Sequence, residues 1–358
     1  MAVDLVAADP TALFRIRDGV YAPDLLIAAV VEFDLFSWLT QRGPVTAEQA
    51  TGELGMAVRP ADVLLTYCAA VGLIDRDLDR GDEVTVTALA RTHLVKGSPF
   101  DLRPYYTSLA ERPSCRELAQ VLRTGKPAAW ASATAPTGVG KATEAAKTAP
   151  HWPARLNQAD FSRRITAAMD ARGAFLGPAL AAALDGLPAQ RVLDVGGSSG
   201  VYACALVDRR PGTLAAVFEC VPVDAAARTL LADRGYHERI EVITGDMFTD
   251  PLPTGYDVHL YSHVLHDWDT EDVASLLSAS YAALPPGGWL VDHDAHIDAD
   301  KRGPLPVAEY SVLLMHSTPG KCYSIRELTE MAQQAGFIDV ELRPTAADRT
   351  AVLARKPG

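Results

Sequence analysis

The stretch Val192-Leu193-Asp194-Val195-Gly196-Gly197-Ser198-Ser199-Gly200 constrains this chain most, because a strand-like run passes straight into a turn rich in glycine. Such a turn lets a ligand approach the main chain with no side chain in the way. One Gly-rich loop is weak evidence, and this one does not follow the G-x-G-x-x-G spacing of dinucleotide sites. The acids spaced behind it add weight. The next strand-like run, 213–220, contains Val217-Phe218-Glu219, roughly 20 residues on. A carboxylate there can accept both hydroxyls of a ribose. A third run, 240–244, leads into Gly245-Asp246-Met247-Phe248, where Asp246 can take an adenine amino group and Met247 can pack on the ring. Three unrelated turn acids are the plainer explanation. Three successive strand ends each offering an adenosine-type contact favour a ligand site at the carboxyl ends of parallel strands.

The rest of the chain reads as an α/β domain preceded by a mostly helical one. Strand-like runs 258–262 and 289–292 follow, with helical segments between, and this alternation implies a parallel sheet covered on both faces. A helix over 324–335 and a turn and strand over 345–354 close the chain. In the first third, apolar residues recur at helical spacing from Asp24 to Leu39. Gly43-Pro44 stops that helix, and Thr46 with Gln49 forms a capping-box pattern for the next. A helix over 60–71, the turn at 77–82 and the alternating Glu83-Val84-Thr85-Val86-Thr87 complete a winged-helix arrangement. Residues 124–153, rich in Ala, Pro, Gly, Thr and Lys, have the composition of a linker or lid. Helical pattern resumes from Ala159 to about residue 172 and again over 177–184. The expected division is a winged-helix dimerisation domain at 1–105, a helical linker and substrate lid at 106–175, and a Rossmann-like domain at 176–358.

Charge and cysteine usage exclude several function classes. The formal net charge is −12, and the hairpin turn of the wing is rich in Asp, so the cationic footprint of a nucleic-acid binder is missing. Residues 1–10 carry no signal-peptide pattern, and no apolar run is long enough for a bilayer. Five cysteines, never spaced C-x-x-C, suit a reduced, cytoplasmic protein with no membrane partner.

Asp194-Val195-Gly196-Gly197, Gly245-Asp246-Met247-Phe248, His266-Asp267-Trp268 and Leu284-Pro285-Pro286-Gly287-Gly288 together resemble the S-adenosylmethionine (SAM)-dependent small-molecule O-methyltransferases of plants and bacteria. The resemblance implies a class I methyltransferase fold, a homodimer, a small-molecule acceptor, and SAM held around Asp194, Gly196, Gly197, Glu219, Asp246, Met247 and Trp268. In the plant enzymes a Lys four residues before the catalytic His helps to hold the cofactor; here that position is Ser262.

Methyl transfer is an in-line displacement that needs alignment and a nucleophile without its proton. His266 follows the strand ending Tyr261-Ser262, at the mouth of the sheet, and its pKa class suits a general base. In the resembling family two carboxylates flank this His. The first falls on Asp294; the position of the second is Cys322. His263 lies just before His266 and His316 sits in Leu314-Met315-His316-Ser317, so His266, Asp294 and His316, with His263 as a further donor, could hold one divalent or ferric ion such as Zn or Fe.

A second resemblance bears on this. Met169-Asp170-Ala171-Arg172-Gly173, Asp294-Ala295-His296 and the segment from Gly303-Pro304 to Tyr323-Ser324 look like a bacterial branch that methylates the carbon beside the keto group of 2-oxo acids in antibiotic pathways. It implies a metal-bound enolate, methylated at C3. This is the favoured reading at the level of sequence. Metal-independent O-methylation of a phenolic or aromatic acceptor with His266 as base is the alternative. A non-catalytic SAM-binding regulator is the alternative of another class, and an NAD-dependent oxidoreductase would leave Gly-Asp-Met-Phe and His-Asp-Trp unexplained. A substrate carboxylate would call for one of Arg15, Arg17, Arg163, Arg164 or Arg172.

Overall fold

The helix that the periodicity predicts over residues 24–39 is two helices, Ala22–Val31 and Leu35–Arg42. Between them Asp34 takes φ 43°, a left-handed conformation that Asp tolerates better than most residues. The bend turns Leu35 and Phe36 into the core that also holds Leu25 and Ala29. The computed structural model describes residues 8–128 and 159–358. Most of the linker or lid composition at 124–153 lies outside the described residues.

The next elements form as their sequence implies. The Gln49 N–H donates to Thr46 Oγ1 (3.1 Å) and the Thr46 N–H to Gln49 Oε1 (3.0 Å), capping helix Ala47–Glu53. Helix Val58–Val71 ends at Gly72, whose φ of 81° turns the chain into the hairpin. Strands β1 (Val45–Thr46), β2 (Ile74–Asp77) and β3 (Glu83–Val86) make an antiparallel sheet in the order β1-β3-β2. Buried Arg76 pins it through Asp62 (2.8 Å) and Asp82 (2.6 Å).

Helix Ala159–Ala183 is continuous, where the sequence suggests two segments. Its glycines serve close packing. A Cβ on Gly173 would lie 2.1 Å from Val201 Cγ1, and one on Gly177 would lie 3.0 Å from Ala205 Cβ. The helix therefore lies directly on helix Val201–Arg209, and the packing outweighs the low helix propensity of glycine.

Strands β4 (Arg191–Val195), β5 (Leu214–Glu219), β6 (Ile240–Thr244), β7 (Val258–Ser262), β8 (Trp289–Asp294), β9 (Ile338–Pro344) and β10 (Thr350–Arg355) form one sheet, ordered β6-β5-β4-β7-β8-β10-β9. Strands β4 to β8 run parallel; β10 is antiparallel to both β8 and β9. The order reverses between β4 and β7, so a crevice opens outside their carboxyl ends. Strand β8 runs two residues beyond the expected 289–292, which places His293 and Asp294 in register with Ala351 and Thr350. Edge strand β9 has no buried residue, so it carries none of the apolar pattern that identifies the others. Helix Leu305–Ser317 packs into the N-terminal core: Val307, Tyr310 and Leu314 share it with Leu25 and Phe36. Among the described residues no helix is long and apolar enough to cross a membrane.

Candidate active site

At the crevice lies a cavity of about 960 Å³, near the top of the range of about 300–1,000 Å³ for small-molecule sites. One end is built mainly from backbone. Gly196 (φ 67°) leads out of β4, and a Cβ there would lie 3.2 Å from Val264 Cγ2. The Glu219 carboxylate accepts the Ser198 and Cys220 N–H groups, each at 3.0 Å, tying two strand ends together at the cavity wall. Asp246 lines the same end, its Oδ1 accepting the Phe248 N–H at 2.9 Å. A Cβ on Gly245 would lie 2.4 Å from the Phe218 ring, so only glycine lets this turn close on it. Met247 and Trp268 line the wall, with Phe248 set edge-on to Trp268 at 4.5 Å. A narrow cradle that any Cβ would fill, with two carboxylates and a Met at its rim, fits an adenosine-containing cofactor.

Three expected cofactor residues stand back from the cavity. Asp194 is fully buried beneath the Gly-rich turn. Burial and the Glu219 charge push its pKa up to about 7. Gly197 covers it: a Cβ there would lie 2.5 Å from Asp194 Cγ. Ser262 turns to the sheet interior, its Oγ 2.9 Å from His293 Nδ1.

The other end is built from side chains of distant elements. His266 follows β7 on a short 3₁₀ turn, Leu265–Asp267. Gly320 sits against this turn so closely that a Cβ would be 2.0 Å from the His266 carbonyl oxygen. Arg59 in turn donates to the Gly320 carbonyl at 2.7 Å. His266 Nδ1 lies 2.7 Å from Asp294 Oδ1. Burial pushes the Asp294 carboxyl up, but His266 and His263 more than offset this and hold it well below the usual carboxylate range. An ionised carboxylate only accepts, so Nδ1 carries the proton and Nε2 keeps its lone pair. Burial opposes protonation of His266, yet Asp294 and Asp267 outweigh it and set its pKa above the ordinary value. Asp267, to which the sequence assigned no role beyond its motif, lines the cavity with Oδ1 3.6 Å from His266 Nε2. Burial raises its carboxyl to about 6.

The expected metal set of His266, Asp294 and His316 is not assembled. His316 Nε2 is 3.0 Å from Glu117 Oε2, and its ring stacks on Tyr21 at 4.1 Å, where it backs the cavity wall without lining it. His263 comes close instead: ligand atoms of His263, His266 and Asp294 lie within 4.8 Å of one another. The Asp294 carboxylate already faces both Nδ1 atoms, at 2.7 and 3.2 Å, which orients a base more than it opens a ligand shell. Burial, reinforced by Arg172, holds His263 well below the ordinary histidine pKa, as a neutral ring. Cys322, at the place of the second expected acid, is buried, and its N–H donates to Ser311 Oγ at 3.1 Å.

The arginines separate clearly. Arg15 and Arg163 pair with Asp348 and Asp160, and Arg164 is exposed. Arg17 pairs with Asp18 at the cavity mouth (3.0 Å). Arg172 alone reaches the cavity without a carboxylate partner among the described residues.

Residues 116–338 match the O-methyltransferase domain family. The 3-hydroxy-5-methyl-1-naphthoate 3-O-methyltransferase of Streptomyces sahachiroi is 31% identical over 336 residues, covering 92% of this chain and 90% of its own. The L-tyrosine C(3)-methyltransferase of Streptomyces lavendulae is 28% identical over 316 residues, covering 86% of this chain and 82% of its own. A solved O-methyltransferase family 2 protein of Planctomyces limnophilus, in complex with apigenin, aligns at TM-score 0.83 and 29% identity, covering 98% of this chain and 96% of its own.

Proposed function

The chain belongs to the O-methyltransferase family and is a SAM-dependent methyltransferase, and we propose that it methylates a hydroxyl oxygen of an aromatic natural-product intermediate, with His266 as general base. The observation that carries this reading is the buried His266–Asp294 pair at 2.7 Å on the cavity lining, which leaves Nε2 as the free lone pair. The hydroxylated aromatic compounds in the names of two similar proteins support the acceptor class.

When bound, SAM supplies an electrophilic methyl group. Gly196, Glu219, Asp246, Met247 and Trp268 are the residues that would hold it, while Asp194 and Gly197 shape the turn from beneath. His266 Nε2 removes the acceptor hydroxyl proton as the oxygen becomes nucleophilic. Nδ1–H stays on Asp294, and that carboxylate stabilises the imidazolium that forms. Apolar Met169 and Leu313 line the wall of the same cavity.

This replaces C-methylation at C3 of a 2-oxo acid. That chemistry asks a Lewis acid to stabilise an enolate, and the histidine assigned as its second ligand is committed to Glu117. The intact base pair speaks against a non-catalytic regulator. We extend the proposal to a homodimer, because Leu13, Ile16, Phe100 and Tyr105 are exposed apolar side chains in the N-terminal region that a second copy would cover; light scattering should then give twice the mass of one chain. The five cysteines, all free, suit the reduced cytoplasm, and the absence of a nucleic-acid partner remains part of the reading.

The test is turnover with methyl-labelled SAM on hydroxyarenes and on 2-oxo acids, the methylated atom being read by carbon NMR. Label on oxygen supports the proposal. Label on carbon, with 2-oxo acids as the only substrates, overturns it.

A further inference from the structure

Arg172 is a buried cation that neighbouring hydroxyls and more distant acids keep protonated, yet no carboxylate forms an ion pair with it among the described residues. It projects from helix Ala159–Ala183 into the cavity. Its Nε is buried with no hydrogen-bond partner among the described residues. Its Nη1 is 3.4 Å from Tyr310 Oη and its Nη2 is 3.0 Å from Met169 Sδ, both neutral groups. The nearest acids are engaged elsewhere. Asp18 receives Arg349 at 2.8 Å, and Asp294 receives His266. A guanidinium cannot shed its proton, and a buried charge without a counter-charge is costly. The planar fork of donors matches a carboxylate in two parallel hydrogen bonds. Tyr310 sets the position of this cation relative to the base, since its ring lies edge-on to His266 at 5.6 Å while its hydroxyl faces Arg172. One aromatic side chain therefore bridges the base and the unpaired cation.

Resting on the O-methylation reading, we propose that the acceptor is an aromatic hydroxy acid whose carboxylate is received by Arg172 while its hydroxyl faces His266. The carboxylate sits on the same ring system as the hydroxyl, about as far from it as Tyr310 spans. The amino-acid tail of SAM carries a carboxylate too, so the source of the anion has to be separated by experiment. Tyr310 belongs to helix Leu305–Ser317, which also brings Leu313 to the cavity lining, and its hydroxyl facing Arg172 favours the acceptor as the source of the anion.

The experiment compares wild type, Arg172→Ala and Arg172→Lys on hydroxynaphthoates with the carboxylate at different ring positions, on their methyl esters, and on the parent naphthols. For at least one isomer, wild type should prefer the acid to its ester by tenfold or more in kcat/KM. Arg172→Ala should lower the acid's kcat/KM at least thirtyfold more than the ester's, and Arg172→Lys should restore part of the difference. Calorimetry gives a readout independent of turnover: 1-naphthoate or 2-naphthoate should bind the complex with S-adenosylhomocysteine (SAH) and lose at least thirtyfold in affinity on Arg172→Ala. SAH itself, titrated alone, should bind the variant within threefold of wild type. Equal losses on acid and ester, esters preferred for every isomer, or no naphthoate binding to wild type overturns the proposal. A tenfold or greater loss in SAH affinity with acid and ester treated alike assigns the carboxylate to the cofactor and also overturns it. Methylation of the parent naphthols is read separately, so failure of this inference and failure of the O-methylation reading are distinguishable.

Discussion

The two ends of the cavity are built by different means. At the cofactor end, backbone does the shaping: the β4 turn, Gly196, Gly245 and two strand-end carboxylates lie within contiguous motifs. At the acceptor end, His266, Asp294, Arg172 and Tyr310 come from four elements, up to 138 residues apart for the Arg172–Tyr310 contact. A turn that admits only glycine is a local constraint. A side chain facing a cavity is a consequence of packing over the whole molecule. At the first kind of site an added Cβ collides with the fold; at the second, a single side-chain exchange alters the chemistry offered to the acceptor.

The largest test of this contrast removes the base. His266→Ala should lower kcat by about 10²–10⁴-fold, the range for a positioned general base, while SAH affinity by calorimetry stays within about threefold. Loss of SAH binding in step with kcat would mean that the two ends are not separable.

Next in size is Asp294→Asn, expected to cost on the order of a hundredfold in kcat through loss of orientation and of imidazolium stabilisation. Its pH profile gives the sharper reading. Only the neutral imidazole acts as base, so the acidic limb of kcat/KM in the wild type should lie above the ordinary histidine value, near 6.5. Asp294 is a main cause of that raised value; without it, burial and the Arg172 charge pull the histidine down. The limb should therefore move to lower pH in Asp294→Asn while the plateau falls. An unmoved limb would assign it to another group, Asp267 being the nearest.

The same contrast explains what was legible in the sequence. Glu219, Asp246 and the strands that carry them can be read from spacing, because the pattern of apolar runs fixes where each strand ends. Asp294 is legible only through resemblance, since β8 runs past its apolar stretch into His293-Asp294. Ser262 and His316 mislead for the same physical reason. Position near a motif does not decide which way a side chain points, and both point away from the cavity, to His293 and to Glu117. The continuous helix at Gly173 and Gly177 is illegible because its cause, the close approach of Val201 and Ala205, lies far along the chain. Arg172 can be singled out by residue type, but its distinction from the four other arginines is a place inside the cavity without a carboxylate partner, which only the folded chain reveals.

A smaller effect probes the backbone-built end. Gly245→Ala pushes a methyl group into the Phe218 ring, 2.4 Å from its Cε2. Overpacking of this kind costs about 1–3 kcal/mol, so the KM for SAM should rise roughly five- to 150-fold if that energy falls on binding. The kcat at saturating SAM should fall much less, because the base end keeps its geometry. A kcat loss as large as the KM change would show that strain at the glycine cradle travels to His266 through Val264 and Trp268.

The smallest expected effect is that of chelation, and it bears on the acceptor end alone. His263, His266 and Asp294 have ligand atoms within 4.8 Å of one another, which is close enough to suggest an ion. The electrostatics favour another use of the same atoms. The Asp294 carboxylate holds the His266 Nδ1 proton, which leaves Nε2 as the free lone pair. An ion binding Nδ1 would have to displace that proton and reverse the tautomer on which the base depends. A cation would also enter beside the charge of Arg172, which already disfavours protonation of His263. Dialysis against a strong chelator, followed by assay with a hydroxyarene, should therefore leave kcat/KM within about twofold of the untreated enzyme. A loss of tenfold or more, restored by Zn or Fe, would break the comparison at this end: the histidines would then be ligands, and the enolate chemistry set aside above would return.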